Sequence, residues 1–160
     1  MLNISEVSNM REIMKLAIEK ARETMRENIG GPFGAAIIDK DGNVIAVSSN
    51  RVLGDKDPTA HAEIIAIDEA CKFLGDWRLE ECTIYITLEP CPMCSGAIVQ
   101  ARIPRVVFGA KSPKAGFAGS VANVLQMDTL NHRCEVLSGV CEEEASTLLK
   151  TYFKNMRNKK

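Results

Sequence analysis

Histidine, aromatic residues and net charge are all scarce in this sequence. Its 160 residues include two histidines and one tryptophan, and aromatic residues make up 5% of the total. The formal net charge of −1 argues against capture of a polyanion by bulk electrostatic attraction. No stretch approaches the length of a membrane span, and residues 1–10 lack the apolar core of a signal peptide. We therefore expect neither a membrane segment nor a secretory leader.

Repeats, low-complexity tracts and long linkers are also missing, so residues 1–160 are predicted to form one domain. The apolar content of 46% is ordinary for a globular protein and is sufficient for a proper core. Six cysteines are present, and we assign two of them to a metal below. This usage indicates a protein of the reducing cytoplasm and not a disulfide scaffold.

The hydrophobic periodicity predicts helices that alternate with single strands. Apolar residues from Met10 to Met25 recur with a helical period, and Gly30-Gly31-Pro32 is predicted to end that helix. Asp41-Gly42 predicts a hairpin between two strands. The predicted elements after the first helix are strands at Phe33 to Asp39 and Val44 to Ser49, a helix at about Thr59 to Leu74, a strand at Thr83 to Leu88, a helix from Cys91 to about Ala101, a strand at Arg105 to Phe108, a short helix near Val121 to Leu125, a strand near Cys134 to Leu137, and a helix at about Glu142 to Met156. This order predicts an α/β fold, a three-layer α/β/α domain with a five-stranded mixed sheet.

Two short motifs together supply the ligands of a zinc ion. His61-Ala62-Glu63 offers one imidazole, and Cys91-Pro92-Met93-Cys94 offers two thiolates. This set suits borderline-soft Zn²⁺, and three protein ligands leave the fourth tetrahedral position for water, as in catalytic zinc sites. Such a zinc acidifies its bound water enough to form hydroxide near neutral pH. Glu63 follows His61 closely enough to hold that water without binding the metal.

Both motifs are predicted to lie at helix N-termini. Asp57-Pro58-Thr59 is a good helix start, which places His61 and Glu63 in or near the first turn. Cys91 and Cys94 are spaced i and i+3, so they share one face at the head of the next helix. The helix dipole and the unpaired N–H groups there favour thiolates, which prepares both cysteines for a metal.

Two other interpretations of these residues stay open. A Cys-x-x-Cys pair could be a redox centre, although such motifs usually follow a thioredoxin-like βαβ strand. A structural zinc site would need a fourth ligand, and the remaining cysteines and His132 show no matching spacing. We expect those cysteines to be small buried apolar residues and His132 to be structural or a surface contact; the cysteines are Cys71, Cys82, Cys134 and Cys141.

The charge is unevenly distributed along the chain. Residues 91–127 contain no Asp or Glu, and the same is true of residues 150–160. In the second segment basic residues alternate with Tyr152 and Phe153, a composition that fits a surface for phosphates and bases. The alternative is a solvated basic helix end that the C-terminal dipole favours.

The motifs resemble those of a known enzyme family. His61-x-Glu63 followed by Pro90-Cys91-x-x-Cys94 is the signature of the zinc nucleobase deaminases. The chain resembles the cytidine deaminase-like superfamily over nearly its whole length, and within it the bacterial tRNA-specific adenosine deaminases. The stretches that carry the resemblance are residues 57–63, 87–94 and 105–110; residues 114–120 and 131–135 favour the tRNA branch.

The resemblance implies roles for individual residues. It implies one zinc per chain, bound by His61, Cys91 and Cys94, with Glu63 as the proton shuttle. Asn50 and the backbone of Ala62 and Pro90 would contact the base. If tRNA is the substrate, Lys111, Lys114, Lys154 and Arg157 should lie around one cleft and neutralise phosphates, and Ser112 and Phe153 are further candidates for RNA contact. The resemblance also implies a cytoplasmic homodimer.

The implied reaction is hydrolytic deamination of adenosine to inosine at the tRNA wobble position. Zinc-bound hydroxide would attack the base, Glu63 would transfer the protons, and the protein would bind tRNA at its anticodon loop. The alternative is a free-base or nucleoside deaminase of the guanine or cytosine type. Residues 31–35 resemble those enzymes more, and Ser112 stands where the tRNA enzymes usually have an aspartate. A third hypothesis, a non-catalytic zinc-stabilised RNA-binding module, leaves Glu63 without a task.

Overall fold

A five-stranded mixed sheet forms the centre of the computed structural model, which describes residues 2–159. The strands are β1 (Gly34–Ile38), β2 (Val44–Ser49), β3 (Thr83–Leu88), β4 (Arg105–Ala110) and β5 (Glu135–Leu137), in the spatial order β2-β1-β3-β4-β5. β1 is antiparallel to both β2 and β3, whereas β3, β4 and β5 are parallel to one another. The predicted mixed sheet is therefore confirmed.

Helices cover both faces of the sheet. They are α1 (Ile4–Glu27), α2 (Val52–Asp55), α3 (Ala62–Leu74), α4 (Pro92–Gln100) and α5 (Glu142–Asn158). One apolar cluster joins α1 and α5 to one face of the sheet, and a second cluster joins α3 and α4 to the other. Alternation along each strand produces this division, since Ile84 and Ile86 belong to one cluster and Tyr85 to the other. The three-layer prediction is confirmed.

Residues of the predicted site lie at one end of the sheet, where β2, β3 and β4 terminate. β2 ends immediately before Asn50, and β3 ends immediately before Glu89-Pro90-Cys91. β4, parallel to β3, ends at Ala110, where the segment 111–120 begins. Ligand sites in α/β sheets form outside the carboxyl ends of parallel strands, and this end has that geometry.

Two helix boundaries differ from those predicted. α1 ends at Glu27, and its C-cap residue Asn28 adopts a left-handed conformation with φ of 60°, so the helix stops before Gly30-Gly31-Pro32. α3 begins at Ala62 and not at Thr59, and His61 occupies the N-cap position. The reason is local, because the Asp57 carboxylate accepts hydrogen bonds from both the amide and the hydroxyl of Thr59 (2.9 and 2.7 Å) and closes a separate turn.

The short helix predicted near Val121 to Leu125 is wrong. The chain forms a narrow loop there, in which Ala118 pairs with Asn123 in an isolated antiparallel bridge. Val124 donates to the Phe117 carbonyl (3.0 Å), so the backbone bonds cross the loop instead of running along a helix. The four-residue helix α2 had no sequence signal. Within residues 2–159, no helix combines the length and the apolar character needed to cross a bilayer.

Candidate metal centre

Three ligand atoms of the two motifs meet at one point. His61 precedes α3, Cys91 is the N-cap residue of α4, and Cys94 lies inside the first turn of α4. The His61 Nδ1 atom is 3.6 Å from the Cys91 Sγ atom and 3.5 Å from the Cys94 Sγ atom. All three ligand atoms lie within 4.8 Å of one another, and no fourth Cys, His, Asp or Glu of residues 2–159 joins the group.

These distances fit a tetrahedral zinc ion. Zn–S and Zn–N bonds of about 2.3 and 2.0–2.1 Å at a tetrahedral angle place nitrogen and sulfur about 3.5–3.6 Å apart. The two measured Nδ1–Sγ separations, 3.6 and 3.5 Å, agree with this requirement. The donor set of one imidazole and two thiolates also matches zinc. His61, Cys91 and Cys94 are therefore suited to hold a zinc ion with one coordination position left open.

The two thiols differ in acidity. Hydrogen bonding from Cys94 and His61 lowers the pKa of Cys91 to about 4. The hydrogen bond that Cys94 gives to Cys91, together with burial, raises the pKa of the Cys94 thiol. A thiolate is therefore present at neutral pH before any metal binds. Since metals bind thiolates and not thiols, the lowered pKa of Cys91 favours metal binding at this site.

Glu63 lies beside the metal ligands, in the first turn of α3, and is only 6% exposed. Burial raises the pKa of its carboxyl group above the ordinary value. A carboxyl group whose pKa is moved toward neutrality both accepts and returns protons effectively. Glu63 is not among the three grouped ligand atoms, which leaves its carboxylate available for proton transfer.

A small pocket of about 170 Å³ opens over these residues. Its volume is below the range of roughly 300–1,000 Å³ that is usual for sites of drug-sized ligands, so it suits one planar base. The apolar side chains on its walls are those of Phe33, Ile86, Leu88 and Ala115, and its polar lining comes from Asn50, His61, Glu63, Glu89, Cys91 and Ser112.

Asn50 is held in one orientation at the pocket wall. Its side-chain oxygen accepts hydrogen bonds from the amides of Gly31 (3.3 Å) and Val52 (3.1 Å). Because both partners are N–H donors, the side-chain oxygen must face them. The amide nitrogen is consequently the group that Asn50 presents to the pocket. Sequence reasoning proposed the residue, and the structure supplies this orientation.

The backbone groups predicted to contact a base are close to the metal ligands. Ala62 is fully buried at the first position of α3, where a helix leaves its N–H groups without intrahelical partners. The Pro90 carbonyl accepts hydrogen bonds from the Phe117 amide (2.8 Å) and the Ser95 hydroxyl (3.4 Å), which fix the backbone at this position.

The predicted RNA-contacting residues fall into two groups. Ser112 lines the pocket, and Lys111 and Lys114 are exposed on the segment beside it. Phe153, Lys154 and Arg157 are exposed on the last turns of α5 and do not line the pocket. Phe153 packs edge-to-face against Tyr152, with ring centroids 5.3 Å apart. The two groups thus lie on different elements, and their role in RNA binding stays a prediction.

The remaining cysteines and the second histidine have ordinary structural environments. Cys82, Cys134 and Cys141 are buried as predicted, whereas Cys71 is only half-buried, and none of the six cysteines forms a disulfide. The His132 Nε2–H group donates to the Ile103 carbonyl (2.7 Å), which confirms the structural role predicted for this residue.

Sequence reasoning missed the apolar walls of the pocket and one of its polar residues, Glu89. Glu89 is 3% exposed, and its carboxylate accepts hydrogen bonds from the amides of Ser112, Ala118 and Ser120. Despite the opposing effect of burial, these hydrogen bonds lower the pKa of Glu89 below its ordinary value, so it is ionised at neutral pH. Its partners are backbone amides of a loop, and the sequence contains no pattern that predicts hydrogen bonds between a carboxylate and distant backbone amides.

Comparison with known proteins agrees with this geometry. The sequence profile of the MafB19-like deaminase family matches residues 8–157. A tRNA-specific adenosine deaminase of Bacillus subtilis is 48% identical over 147 residues, which cover 92% of this chain and 90% of that protein.

Solved structures similar to this one include the following two. A structure from studies of A-to-I editing by tRNA:A34 deaminases at the wobble position of transfer RNA has a TM-score of 0.82 and 42% identity, covering 86% of this chain and 99% of that chain. A guanine deaminase from Bacillus subtilis has a TM-score of 0.63 and 35% identity, covering 98% and 95% of the two chains.

Proposed function

The chain belongs to the tRNA-specific adenosine deaminase family, and we propose that it converts the wobble adenosine of tRNA to inosine by hydrolytic deamination. The observation that carries the proposal is the position of Glu63 beside the His61, Cys91 and Cys94 ligand set, in the lining of a base-sized pocket. The net reaction adds water to the base and releases ammonia, and it leaves Glu63 unchanged.

Zinc held by His61, Cys91 and Cys94 supplies the Lewis acidity that lets water act as a nucleophile near neutral pH. Glu63 accepts a proton from the attacking water and delivers it to the ring nitrogen next to the carbon that bears the amino group. After the water oxygen has bonded to that carbon, Glu63 passes the second water proton to the amino group, which leaves as ammonia. The raised pKa of Glu63 suits a residue that must both take and give protons.

Three polar groups hold the base against this centre. The Asn50 side-chain nitrogen donates a hydrogen bond to an acceptor on the base, since its oxygen is already engaged by Gly31 and Val52. The Ala62 N–H group and the backbone of Pro90 contact the edge of the ring. Polar groups at fixed positions select the orientation that brings the amino-bearing carbon to Glu63.

The rest of the nucleotide stays outside the pocket. A volume of about 170 Å³ accommodates a base, so the sugar and the flanking phosphates must lie on the surface around the opening. Proteins read single-stranded RNA loops through bases that are splayed out in this way. Lys111 and Lys114 beside the pocket, and Lys154 and Arg157 on α5, supply the positive charge for the phosphates.

Salt dependence tests the RNA part of the proposal. Affinity for an anticodon stem-loop is expected to fall with salt, with a log–log slope of roughly −0.7 per neutralised phosphate. Lys111→Ala and Lys154→Ala should each make the slope less negative by about that amount and leave deamination of a small substrate analogue unchanged. Filter binding at several salt concentrations measures the slope.

Lys40→Ala is the matched control, because Lys40 is an exposed lysine of the β1–β2 turn that pairs with Glu81. Its slope should equal that of the wild type. If Lys111→Ala and Lys154→Ala also show the wild-type slope, the assignment of Lys111 and Lys154 as phosphate contacts is contradicted.

A free-base deaminase is the second candidate. The guanine deaminase of Bacillus subtilis shares 35% identity over most of the chain, and the partly enclosed pocket also fits a free purine. This alternative predicts turnover of guanine that is nearly independent of salt and insensitive to Lys111 and Lys154. Ammonia release from the stem-loop at two salt concentrations, beside guanine and cytosine, separates the two functions.

The surface of α3 and α4 supports a homodimer. Trp77 is 60% exposed on this surface, which is mostly apolar and whose polar lining comes from Asp68 and Gln100. Exposed apolar patches of this kind mark protein interfaces. The apolar residues that line it are Ile64, Ile67, Cys71, Trp77, Ala97 and Ala101.

Trp77→Asp is expected to convert the dimer to a monomer at micromolar concentrations, because it buries a charge in the proposed interface. Sedimentation velocity measures the mass. Leu53→Asp, at another exposed apolar position, should leave the mass unchanged. A wild-type protein that sediments as a monomer would overturn the dimer.

The remaining assignments follow from this proposal. The chain forms one zinc-dependent deaminase domain, since its matches to relatives run through nearly all of it. A tRNA substrate and six free thiols suit a protein of the reducing cytoplasm.

A further inference from the structure

A buried carboxylate that the reaction does not use lies between β3 and the metal ligand Cys91. The Oε1 atom of Glu89 accepts the amide of Ser112 (3.1 Å) and the hydroxyl of Ser120. Its Oε2 atom accepts the amides of Ala118 and Ser120, both at 3.0 Å. A buried charge is costly unless hydrogen bonds satisfy it, and here both oxygens are satisfied by one short segment of chain.

That segment, residues 111–120, forms part of the pocket wall. Ser112 and Ala115 line the pocket; Ser112 is held by Glu89 directly, and Ala115 lies between Ser112 and Ala118, which Glu89 also holds. The backbone continues the attachment, since the Glu89 amide donates to Ala110 (2.8 Å) and Phe117 donates to the Pro90 carbonyl (2.8 Å). The wall segment is therefore wrapped around Glu89 and Pro90, the two residues before Cys91.

Gly116 shows how closely the segment surrounds the carboxylate. A Cβ atom added at Gly116 would lie 2.2 Å from the Glu89 Cδ atom, far inside any normal contact. The backbone thus approaches the carboxylate directly, without an intervening side chain. Any change in the position of the Glu89 carboxylate must move this segment.

We propose that Glu89 is a positioning residue, whose carboxylate fixes the wall segment 111–120 at the distance from the metal centre that aligns the base for attack. The inference rests on the proposed deamination, because it assigns Glu89 a part in orienting the base. Glu89 is not one of the grouped metal ligands, and although its side chain also lines the pocket, both carboxylate oxygens are already bonded to the wall segment. It acts through Ser112 and Ala115, which line the pocket. Because Glu89 lies two residues before Cys91, its hydrogen bonds also link this segment to the metal ligand.

Glu89→Gln tests this role with almost no change of shape. Each carboxylate oxygen accepts at least one backbone N–H group, so either orientation of the glutamine amide places its NH₂ group against a donor. The wall segment should shift and the base should be held in the wrong place. A misplacement near 1 Å costs up to about 10²-fold in rate, so we expect kcat to fall by about 10- to 10²-fold. KM for the stem-loop should change little, because phosphate contacts carry most of the affinity.

Two further measurements do not depend on turnover. Hydrogen exchange of the amides in residues 111–120 should accelerate in Glu89→Gln, while exchange in β3 and β4 should stay slow. Bound zinc should remain at the wild-type level, since the three ligands are untouched. If wild-type protein fails to deaminate the stem-loop, the proposed function is wrong. The role of Glu89 is then still decided by amide exchange, by zinc content and by kcat on the free base that the protein does deaminate.

Control variants separate positioning from simple loss of stability. Ser120→Ala removes one hydroxyl and keeps three backbone donors on Glu89, so kcat should stay within about threefold of wild type. Ile13→Ala opens a cavity on the opposite face of the sheet and should lower the Tm without lowering kcat. If Glu89→Gln does not fold, Gly116→Ala disturbs the same contact from the other side and should reproduce the loss of kcat.

The proposal is overturned if the variant that is measured, Glu89→Gln or Gly116→Ala, lowers kcat no more than Ile13→Ala does. Unchanged amide exchange in residues 111–120 would also overturn it, because the carboxylate would then not be what holds the segment.

Discussion

Glu63→Gln is expected to lower the rate of deamination by at least about 10²–10⁴-fold, the usual contribution of general acid–base catalysis. The loss should lie at the upper end or beyond it, because one carboxylate serves several proton transfers in the same reaction. Glutamine keeps the shape of the side chain and removes its ability to accept a proton. Since Glu63 is not one of the grouped ligands, the variant should bind zinc as the wild type does.

Glu69→Gln is the matched control for Glu63→Gln. It makes the same chemical change on the same helix, at an exposed residue whose carboxylate accepts a hydrogen bond from Ser48 and does not line the pocket. Single-turnover rates and zinc content should both match those of the wild type. A Glu63→Gln enzyme with near wild-type turnover would show that another group moves the protons.

Cys94→Ala should lose the bound zinc and reduce turnover to the background. Cys94 is fully buried and supplies one of only three protein ligands, so its removal leaves His61 and Cys91 to hold the ion. Zinc binding is coupled to folding, and a ligand that binds only the native state raises its stability. The Tm of Cys94→Ala should therefore fall to that of wild-type protein treated with a chelator.

Cys82→Ala controls for the loss of a buried thiol. Cys82 is 2% exposed in the apolar core, and burial raises the pKa of its thiol to about 11, so it is not a thiolate at neutral pH. This variant should retain one zinc per chain and full activity. Zinc retained by Cys94→Ala at the wild-type level would contradict the assigned ligand set, as would native wild-type protein that contains no zinc.

The metal ligands were predictable because each half of the site is local in sequence. Cys91 and Cys94 meet since an i, i+3 spacing places them on one face of a helix, and Pro92 favours a helix start at that point. His61 and Glu63 are likewise separated by one residue at the start of α3. Only the meeting of the two halves required the fold, and the ligand chemistry already implied it.

The pocket wall could not be predicted in the same way. Glu89 is anchored by amides of Ser112, Ala118 and Ser120, which are distant in sequence and carry no side-chain signal for the bond. The sequence predicts a short helix near Val121 to Leu125 where the structure has a loop. Local helix propensity does not take account of a backbone bridge such as that between Ala118 and Asn123. The orientation of Asn50 likewise depends on two amides, of which Gly31 lies in another segment.

The most direct measurement is the amount of inosine formed at the wobble position of an anticodon stem-loop by zinc-loaded wild-type protein. A stem-loop with guanosine at that position, together with free guanine and cytosine, provides the controls. The proposed function predicts inosine and stoichiometric ammonia from the adenosine stem-loop alone, and no product when the Glu63→Gln variant replaces the wild type. Ammonia from free guanine or cytosine, with no inosine in the stem-loop, would contradict it.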